Sequence, residues 1–166
     1  MTNEKLPREK IILALYPNNN GFGYAFFENA QTPIDCGMAK VRPISNSGCL
    51  KRIKSFIAYV KPTMIILQRL EGSKSWKTKR VKTLIQEIAT YAQSQRLKVK
   101  EYSRDNILAV FSQFRAQTKY EIAKRICHWL PQFKNKMPKQ RLIYEPESYS
   151  MGMFDAISLA LTHYLQ

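Results

Sequence analysis

Few side chains in this sequence are arranged for catalysis. The two histidines, His128 and His163, lie far apart in the chain, so an acid–base pair would depend on tertiary contacts. Cys127 directly precedes His128 in a segment with helical periodicity, and adjacent helix residues do not face each other, which argues against a Cys–His nucleophile. Gly21 and Gly23 are too few for a dinucleotide fingerprint. The remaining candidates are carboxylates: Asp35, Glu71, Glu145, Glu147 and Asp155.

Positive charge is the strongest compositional signal. The chain has 27 Lys and Arg against 12 Asp and Glu, a formal net charge of +15, which favours a polyanionic partner. The excess is concentrated in residues 74–82 and 134–141. We expect nucleic-acid contacts at Lys74, Trp76, Lys77, Lys79, Arg80, Lys82, Lys134, Lys136 and Lys139. The plainer interpretation is a solvated basic surface that only aids solubility.

Length and cysteine usage indicate a cytoplasmic protein with one domain, residues 1–166. The three cysteines, Cys36, Cys49 and Cys127, are odd in number and form no Cys-x-x-Cys pair, so free thiols are expected. The apolar runs are far shorter than the roughly 20 residues a bilayer requires, and the N-terminus lacks a signal-peptide pattern. We therefore expect no membrane partner.

The elements that must position these residues follow from hydrophobic periodicity. Strands are predicted at 11–16, 22–28, 34–41, 63–68 and 97–102. Helices are predicted at 48–60, 79–94, 103–113, 118–130 and 151–165. Strands that first pair as hairpins and then alternate with helices favour an α/β fold, a mixed sheet flanked by helices on both faces. The basic stretch 131–149, with its three prolines, is predicted to be a long loop.

Five segments carry motifs in a fixed order: 11–24, with Tyr16-Pro17 followed by Gly23-Tyr24; 60–68, which ends in Gln68; 99–103; 118–131; and 154–163, which reads Phe-Asp-Ala-Ile-Ser-Leu-Ala-Leu-Thr-His. In this order they resemble RuvC-type Holliday junction resolvases, most closely at 154–163. The family's first hairpin has an aspartate followed by Pro-Gly and then Gly-Tyr, its fourth strand ends in a glutamate, and its last helix reads Asp-Ala-x-x-x-Ala-x-Thr-His. The resemblance spans roughly residues 10 to 166. It implies a ribonuclease H-like fold.

The resemblance also implies a degenerate metal site. Enzymes of this family cleave phosphodiesters with two divalent metal ions held by four acidic positions. Here Tyr16, Gln68 and Gly152 match three of those positions, and only Asp155 is acidic. Residues three apart on a helix share a face, so Gly152 offers no ligand beside Asp155. We therefore expect no bound metal and no cleavage.

Other acids could rebuild the metal site. Glu71 lies three residues beyond Gln68, where a continued strand would point it away, so it would need a turn. Glu147 precedes the last helix and could fold back. In that interpretation Asp155, with Glu71 or Glu147, would hold Mg²⁺ or Mn²⁺. In the opposite interpretation Asp155 has only a structural role, as an acidic residue near a helix N-terminus whose negative charge the helix macrodipole stabilises.

Three further residues have two interpretations each. Lys119 matches a basic position near the family's active site, and would contact DNA or lie on a plain helix surface. Trp76 follows the fourth strand, where family members reach into the junction; it would stack on an unpaired base or be buried. Tyr16 would act in the vacated metal pocket or fill the core.

These observations favour a nucleic-acid-binding, RuvC-like protein. The expected partner is branched, Holliday junction-like, or distorted DNA, in DNA recombination or repair, with nuclease activity lost. The alternative is a divergent metal-dependent endodeoxyribonuclease with relocated carboxylates, and a third interpretation is a protein-interaction scaffold. RNA in place of DNA stays open, and the resemblance implies a homodimer.

Overall fold

A computed structural model of the chain describes residues 10–70 and 77–166. Its centre is a five-stranded mixed sheet in the order β3-β2-β1-β4-β5. β1 pairs antiparallel with β2, and β2 antiparallel with β3, whereas β1, β4 and β5 are parallel. The strands are β1 Ile12–Asn18, β2 Gly21–Asn29, β3 Thr32–Lys40, β4 Met64–Gln68 and β5 Lys98–Tyr102. The expected ribonuclease H-like α/β fold is confirmed.

Five α-helices cover the sheet, and polar side chains start four of them. The hydroxyls of Ser45, Thr78, Ser103 and Thr118 each accept a hydrogen bond from a backbone N–H in the first turn that follows. The helices are α1 Asn46–Val60, α2 Lys79–Ser94, α3 Arg104–Phe111, α4 Lys119–Trp129 and α5 Met151–Leu165. Among the described residues, every helix is too short or too polar to cross a membrane.

The two faces of the sheet carry separate hydrophobic clusters. Strand side chains alternate, so Leu13 and Leu15 of β1 pack under α1 and α2, in what we call the apolar face. Ile12, Ala14 and Tyr16 pack under α3, α4 and α5, in what we call the site face. β1 is therefore buried on both sides and holds the two clusters in a fixed relation.

One predicted element needs correction. The expected loop 131–149 begins with a 3₁₀ helix, Pro131–Lys136, and only the residues after it lack regular structure. The helix forms because Pro131, which has no backbone N–H, suits a helix start and because Phe133 is buried in the site-face cluster. The rest of the segment runs to α5 and brings Glu147 beside α4.

Candidate functional site

A cleft of about 570 Å³ opens where β1 and β4 end, beside α5. Tyr16 lies near the end of β1 and Gln68 ends β4, its parallel neighbour, so both side chains reach the same sheet edge. Gly152 and Asp155 line the cleft from α5. The four positions singled out in the sequence therefore meet at one place.

Two glycines bring α5 onto the sheet. A side-chain Cβ at Gly23, on β2 opposite Tyr16, would lie 1.9 Å from the backbone oxygen of Gly152. No residue other than glycine allows the helix and the strand to approach this closely. This contact places Asp155, one turn further along α5, near Tyr16.

Lys119 joins the two carboxylates of the cleft. Its Nζ donates to Oδ2 of Asp155 at 3.2 Å and to Oε1 of Glu147 at 3.0 Å. The side chain of Asp155 is almost fully buried, whereas that of Lys119 is 34% exposed. Burial raises the pKa of Asp155 above its ordinary value, and Lys119 opposes that rise. Burial lowers the pKa of Lys119, but Asp155, Tyr16 and Glu147 outweigh it and raise the pKa overall, so the ammonium stays charged.

These contacts correct the two plainer interpretations of Asp155 and Lys119. Asp155 is the fifth residue of α5, whose first turn contains no acidic residue, and the macrodipole acts mainly within that turn. Its partner is Lys119. Lys119 is likewise no plain surface residue, because it links α4 to α5 and to the segment before α5.

A second lysine covers Tyr16. Nζ of Lys77 lies 3.7 Å from the centroid of the Tyr16 ring, and Nζ of Lys119 lies 5.5 Å from it. Lys77 also donates to the backbone oxygen of Pro17 at 3.1 Å. Burial lowers the pKa of Lys77 to about 8, against the opposing effect of Asp155. Burial raises the pKa of Tyr16 to about 12, so its hydroxyl stays neutral at physiological pH.

The space beside Gly152 is already filled. A Cβ added there would lie 2.3 Å from Sδ of Met38 and 2.7 Å from Nδ2 of Asn18. An acidic side chain at this position would need both neighbours to move. Across the cleft, Oε1 of Gln68 is buried without a hydrogen-bond partner, so a polar acceptor is available for a bound group.

The side chains in the cleft do not fit a pair of divalent metal ions. The described residues contain no group of three or more His, Cys, Asp or Glu placed to hold a metal. The cleft lining contains two carboxylates, which already share one ammonium, and its other side-chain oxygens belong to neutral amides, phenols and hydroxyls. Mg²⁺ and Mn²⁺ require several anionic oxygens to offset their charge, and the nearby ammonium groups would repel them.

The cleft contains three cationic side chains against two carboxylates. Arg104 joins Lys77 and Lys119 in the lining, opposite Glu147 and Asp155. The arrangement suits an anion such as a phosphate, which can accept hydrogen bonds from ammonium and guanidinium groups.

The remaining predicted site residues, apart from those described above, do not gather at the cleft. Glu71, Lys74 and Trp76 lie outside the described residues. Arg80 donates to Oδ1 of Asn46 and to the backbone oxygen of Asn18, so it ties α2 to the end of β1. Lys79, Lys82, Lys134, Lys136 and Lys139 are exposed and lie outside the cleft lining. Their nucleic-acid contacts stay predictions.

The sequence did not predict Arg104 or several other residues of the cleft lining. Arg104 starts α3, immediately after β5, and the carboxyl ends of parallel strands meet at one edge of a sheet. That rule applied to β5 would have identified it. The other missed lining residues are Asn18, Asn19, Asn20, Leu70, Thr78, Val81, Ser148 and Tyr149. Those of the segment before α5 had no sequence signal, because loops carry no periodicity.

Known Holliday junction resolvases share this fold. Thermus thermophilus RuvC is 13% identical over 92% of each chain, with a TM-score of 0.65. T. thermophilus RuvC in complex with Holliday junction substrate is 14% identical over 93% of this chain and 92% of that chain, with a TM-score of 0.63. The yeast mitochondrial Holliday junction resolvase Ydc2 is 11% identical over 96% of this chain and 80% of that chain, with a TM-score of 0.57. No protein-family model and no curated protein matches the sequence. At such identities the similarity concerns the fold.

Proposed function

We propose that this protein binds branched DNA through the cationic cleft and does not cleave it. The observation that carries the proposal is the position of Lys119, whose ammonium forms ion pairs with both Asp155 and Glu147 where a two-metal nuclease would need free carboxylates. With Lys77 and Arg104 beside it, the cleft attracts phosphate rather than metal.

Two further observations support DNA as the partner. The chain's net charge of +15 provides the long-range attraction that nucleic-acid binding requires. One solved structure with this fold is a RuvC complex with Holliday junction substrate. Binding as a homodimer, a role in recombination or repair, and a single domain over residues 1–166 are parts of the same proposal. RNA is the alternative polyanion.

A metal-dependent endonuclease is the second candidate, and the position of Glu147 favours it. Glu147 and Asp155 both contact Lys119, so two carboxylates do converge in the cleft although the sequence separates them. If Lys119 moved away, this pair could serve as part of a rebuilt site. The candidate requires further ligands from residues beyond those described, of which Glu71 is the nearest in sequence to Gln68.

Equilibrium binding and cleavage assays on one set of samples separate the candidates. Fluorescence anisotropy with a labelled four-way junction and a duplex, between 50 and 200 mM salt, should show affinity that falls by roughly three decades or more if 6 or more phosphates are contacted. Chelator should leave the affinity unchanged, and no cut product should form with Mg²⁺ or Mn²⁺.

Arg104→Ala and Lys51→Ala form a matched pair for this assay. Arg104 lines the cleft, whereas Lys51 is exposed on α1 and lies outside it. Loss of one phosphate contact should reduce the salt slope by about one for Arg104→Ala and leave it unchanged for Lys51→Ala. Metal-dependent nicking that Asp155→Asn abolishes would establish the endonuclease instead. Absence of DNA binding at 50 mM salt would contradict both candidates.

A further inference from the structure

Residues 142–145, between the 3₁₀ helix and α5, form a closed turn. The backbone N–H of Glu145 donates to the oxygen of Leu142 at 3.0 Å, and the N–H of Leu142 donates to Oε2 of Glu145 at 3.3 Å. Arg141 adds a hydrogen bond from Nη1 to the backbone oxygen of Glu145, at 3.2 Å. Pro146 follows and restricts the backbone of Glu145. The turn is therefore held in one shape by its own side chains.

The tip of this turn is apolar and faces solvent. Ile143 is 100% exposed, Tyr144 is 79% exposed and Leu142 is also exposed. Surface turns usually carry Gly, Asn, Asp, Pro or Ser, which suit the backbone geometry and water. Three consecutive exposed apolar side chains on a hydrogen-bonded turn indicate a contact surface.

The turn stands beside the cationic cleft. Glu147, which pairs with Lys119 in the cleft, lies three residues after Tyr144, and three residues of extended chain span at most about 11 Å. Ser148 and Tyr149 continue along the cleft lining. The apolar tip therefore rises from the rim of the site described above.

The charges around the turn select the kind of partner. Residues 131–147 contain four cationic side chains, Lys134, Lys136, Lys139 and Arg141, against two acidic ones. Glu145 accepts a hydrogen bond within the turn, and Glu147 pairs with Lys119. A basic flank suits a phosphate backbone, and an aromatic or aliphatic tip suits the face of a base. An apolar protein partner would have no need of this excess of positive charge.

We propose that the turn 142–145 is an apolar wedge, in which Ile143 and Tyr144 pack against bases unstacked at the branch point of DNA held in the cleft. The inference rests on the proposed function, since it names the feature of the DNA that the protein distinguishes. Base faces are covered in a continuous duplex and accessible where stacking is interrupted. The wedge therefore acts on branched DNA and contributes little to duplex binding.

Alanine substitution at the tip, compared with an exposed tyrosine elsewhere, tests the wedge. Tyr59, on α1, is 90% exposed and serves as the control for Tyr144. Tyr144→Ala and Ile143→Ala should fold normally, because neither side chain is buried, and circular dichroism checks this. Tyr144→Ala should weaken junction binding by about fivefold or more, the value expected for loss of one base-stacking contact, and Ile143→Ala should weaken it by more than about twofold through lost apolar contact. Tyr144→Phe should retain junction affinity.

The outcomes separate the wedge from the proposed function. Weaker junction binding with unchanged duplex binding and an unchanged salt slope, for Tyr144→Ala but not Tyr59→Ala, supports the wedge. Junction affinity that stays within twofold for both tip variants while the unmodified protein binds DNA overturns the wedge alone and leaves a protein partner for the tip. An unmodified protein that binds neither DNA overturns the proposed function and, with it, the wedge.

Discussion

The two faces of the central sheet differ in what they bury. The apolar face is closed by α1 and α2 over side chains such as Leu13, Leu15 and Phe22, and its cluster is hydrophobic throughout. The site face is closed by α3, α4 and α5, and the buried polar residues of the described chain lie there, all on α5: Asp155, Ser158 and Thr162.

Each of these three residues has a specific hydrogen-bond partner. The hydroxyl of Thr162 donates to the backbone oxygen of Ser158, and that of Ser158 donates to the backbone oxygen of Asp155. The carboxylate of Asp155 accepts from Lys119. A buried polar group without a partner costs roughly 1–3 kcal/mol, so the site face depends on particular contacts, whereas the apolar face depends on shape and volume.

The largest test of this difference compares two glycines, one on each face. Gly23→Ala places a methyl group 1.9 Å from the backbone oxygen of Gly152, which cannot move without shifting α5. Gly37→Ala places a methyl group 2.8 Å from the hydroxyl of Tyr24, whose side chain packs on the apolar face. This hydroxyl is the free end of a side chain, so it can move away more easily than a backbone atom. We expect Gly23→Ala to lower the free energy of unfolding by about 3 kcal/mol or more, and Gly37→Ala by about 1 kcal/mol. Urea denaturation measures both. Equal losses would show that the α5 contact is no tighter than an ordinary one.

The second test removes the partner of the buried carboxylate. Lys119→Ala leaves the buried carboxylate of Asp155 without its ammonium partner. We expect the free energy of unfolding at pH 7 to fall by about 1–3 kcal/mol. The loss is smaller than for a fully buried pair because Lys119 is partly exposed. Lys124→Ala, an exposed position on the same helix, should change it little.

The pH dependence of the stability loss in Lys119→Ala shows whether charge causes it. Burial raises the pKa of Asp155, and removal of Lys119 should raise it further. Between the unfolded and folded pKa values the native state binds more protons than the unfolded state, so stability falls as pH rises. The loss should therefore be larger at pH 7 than at pH 4, and the added substitution Asp155→Asn should remove the difference. A loss that is the same at both pH values would point to packing instead of charge.

The third and smallest test concerns Lys77 at the cleft. Its pKa, lowered to about 8 by burial, makes its ammonium charged below that pH and neutral above it. Phosphate binds the charged form, so DNA affinity should fall between pH 7 and pH 9 by up to about tenfold, in addition to any general effect. Lys77→Arg keeps the charge at both pH values and should show a flatter profile. Anisotropy titrations at constant ionic strength measure the DNA affinity at each pH. Identical pH profiles for the unmodified protein and Lys77→Arg would show that Lys77 does not contact phosphate.

Most of the fold was predictable from local patterns. The predicted bounds of the five strands and five helices differ from those observed by at most two residues, because periodicity and capping side chains act within a few positions. The exception was residues 131–136, where a proline that looked like a loop signal begins a 3₁₀ helix.

The candidate site was predictable only in part. The positions of Tyr16, Gln68, Gly152 and Asp155 followed from the order of the motifs, and all four line the cleft. The contact of Lys119 with Glu147 and with Asp155 joins residues 28 and 36 positions apart, and no local pattern encodes it. Arg104 was missed for a different reason: the rule for the carboxyl ends of parallel strands was not applied to β5, the strand that precedes it.

Residue types and short-range spacing were enough to predict the secondary structure, the excess of positive charge and the presence of only one acid among Tyr16, Gln68, Gly152 and Asp155. Three contacts became visible only in the folded chain: Asp155 and Glu147 share one ammonium, Lys77 covers Tyr16, and Met38 and Asn18 fill the space beside Gly152. The contacts made by α5 arise because this helix packs against the strands at a glycine pair, and all three join segments that are distant in the sequence, which no short-range pattern encodes.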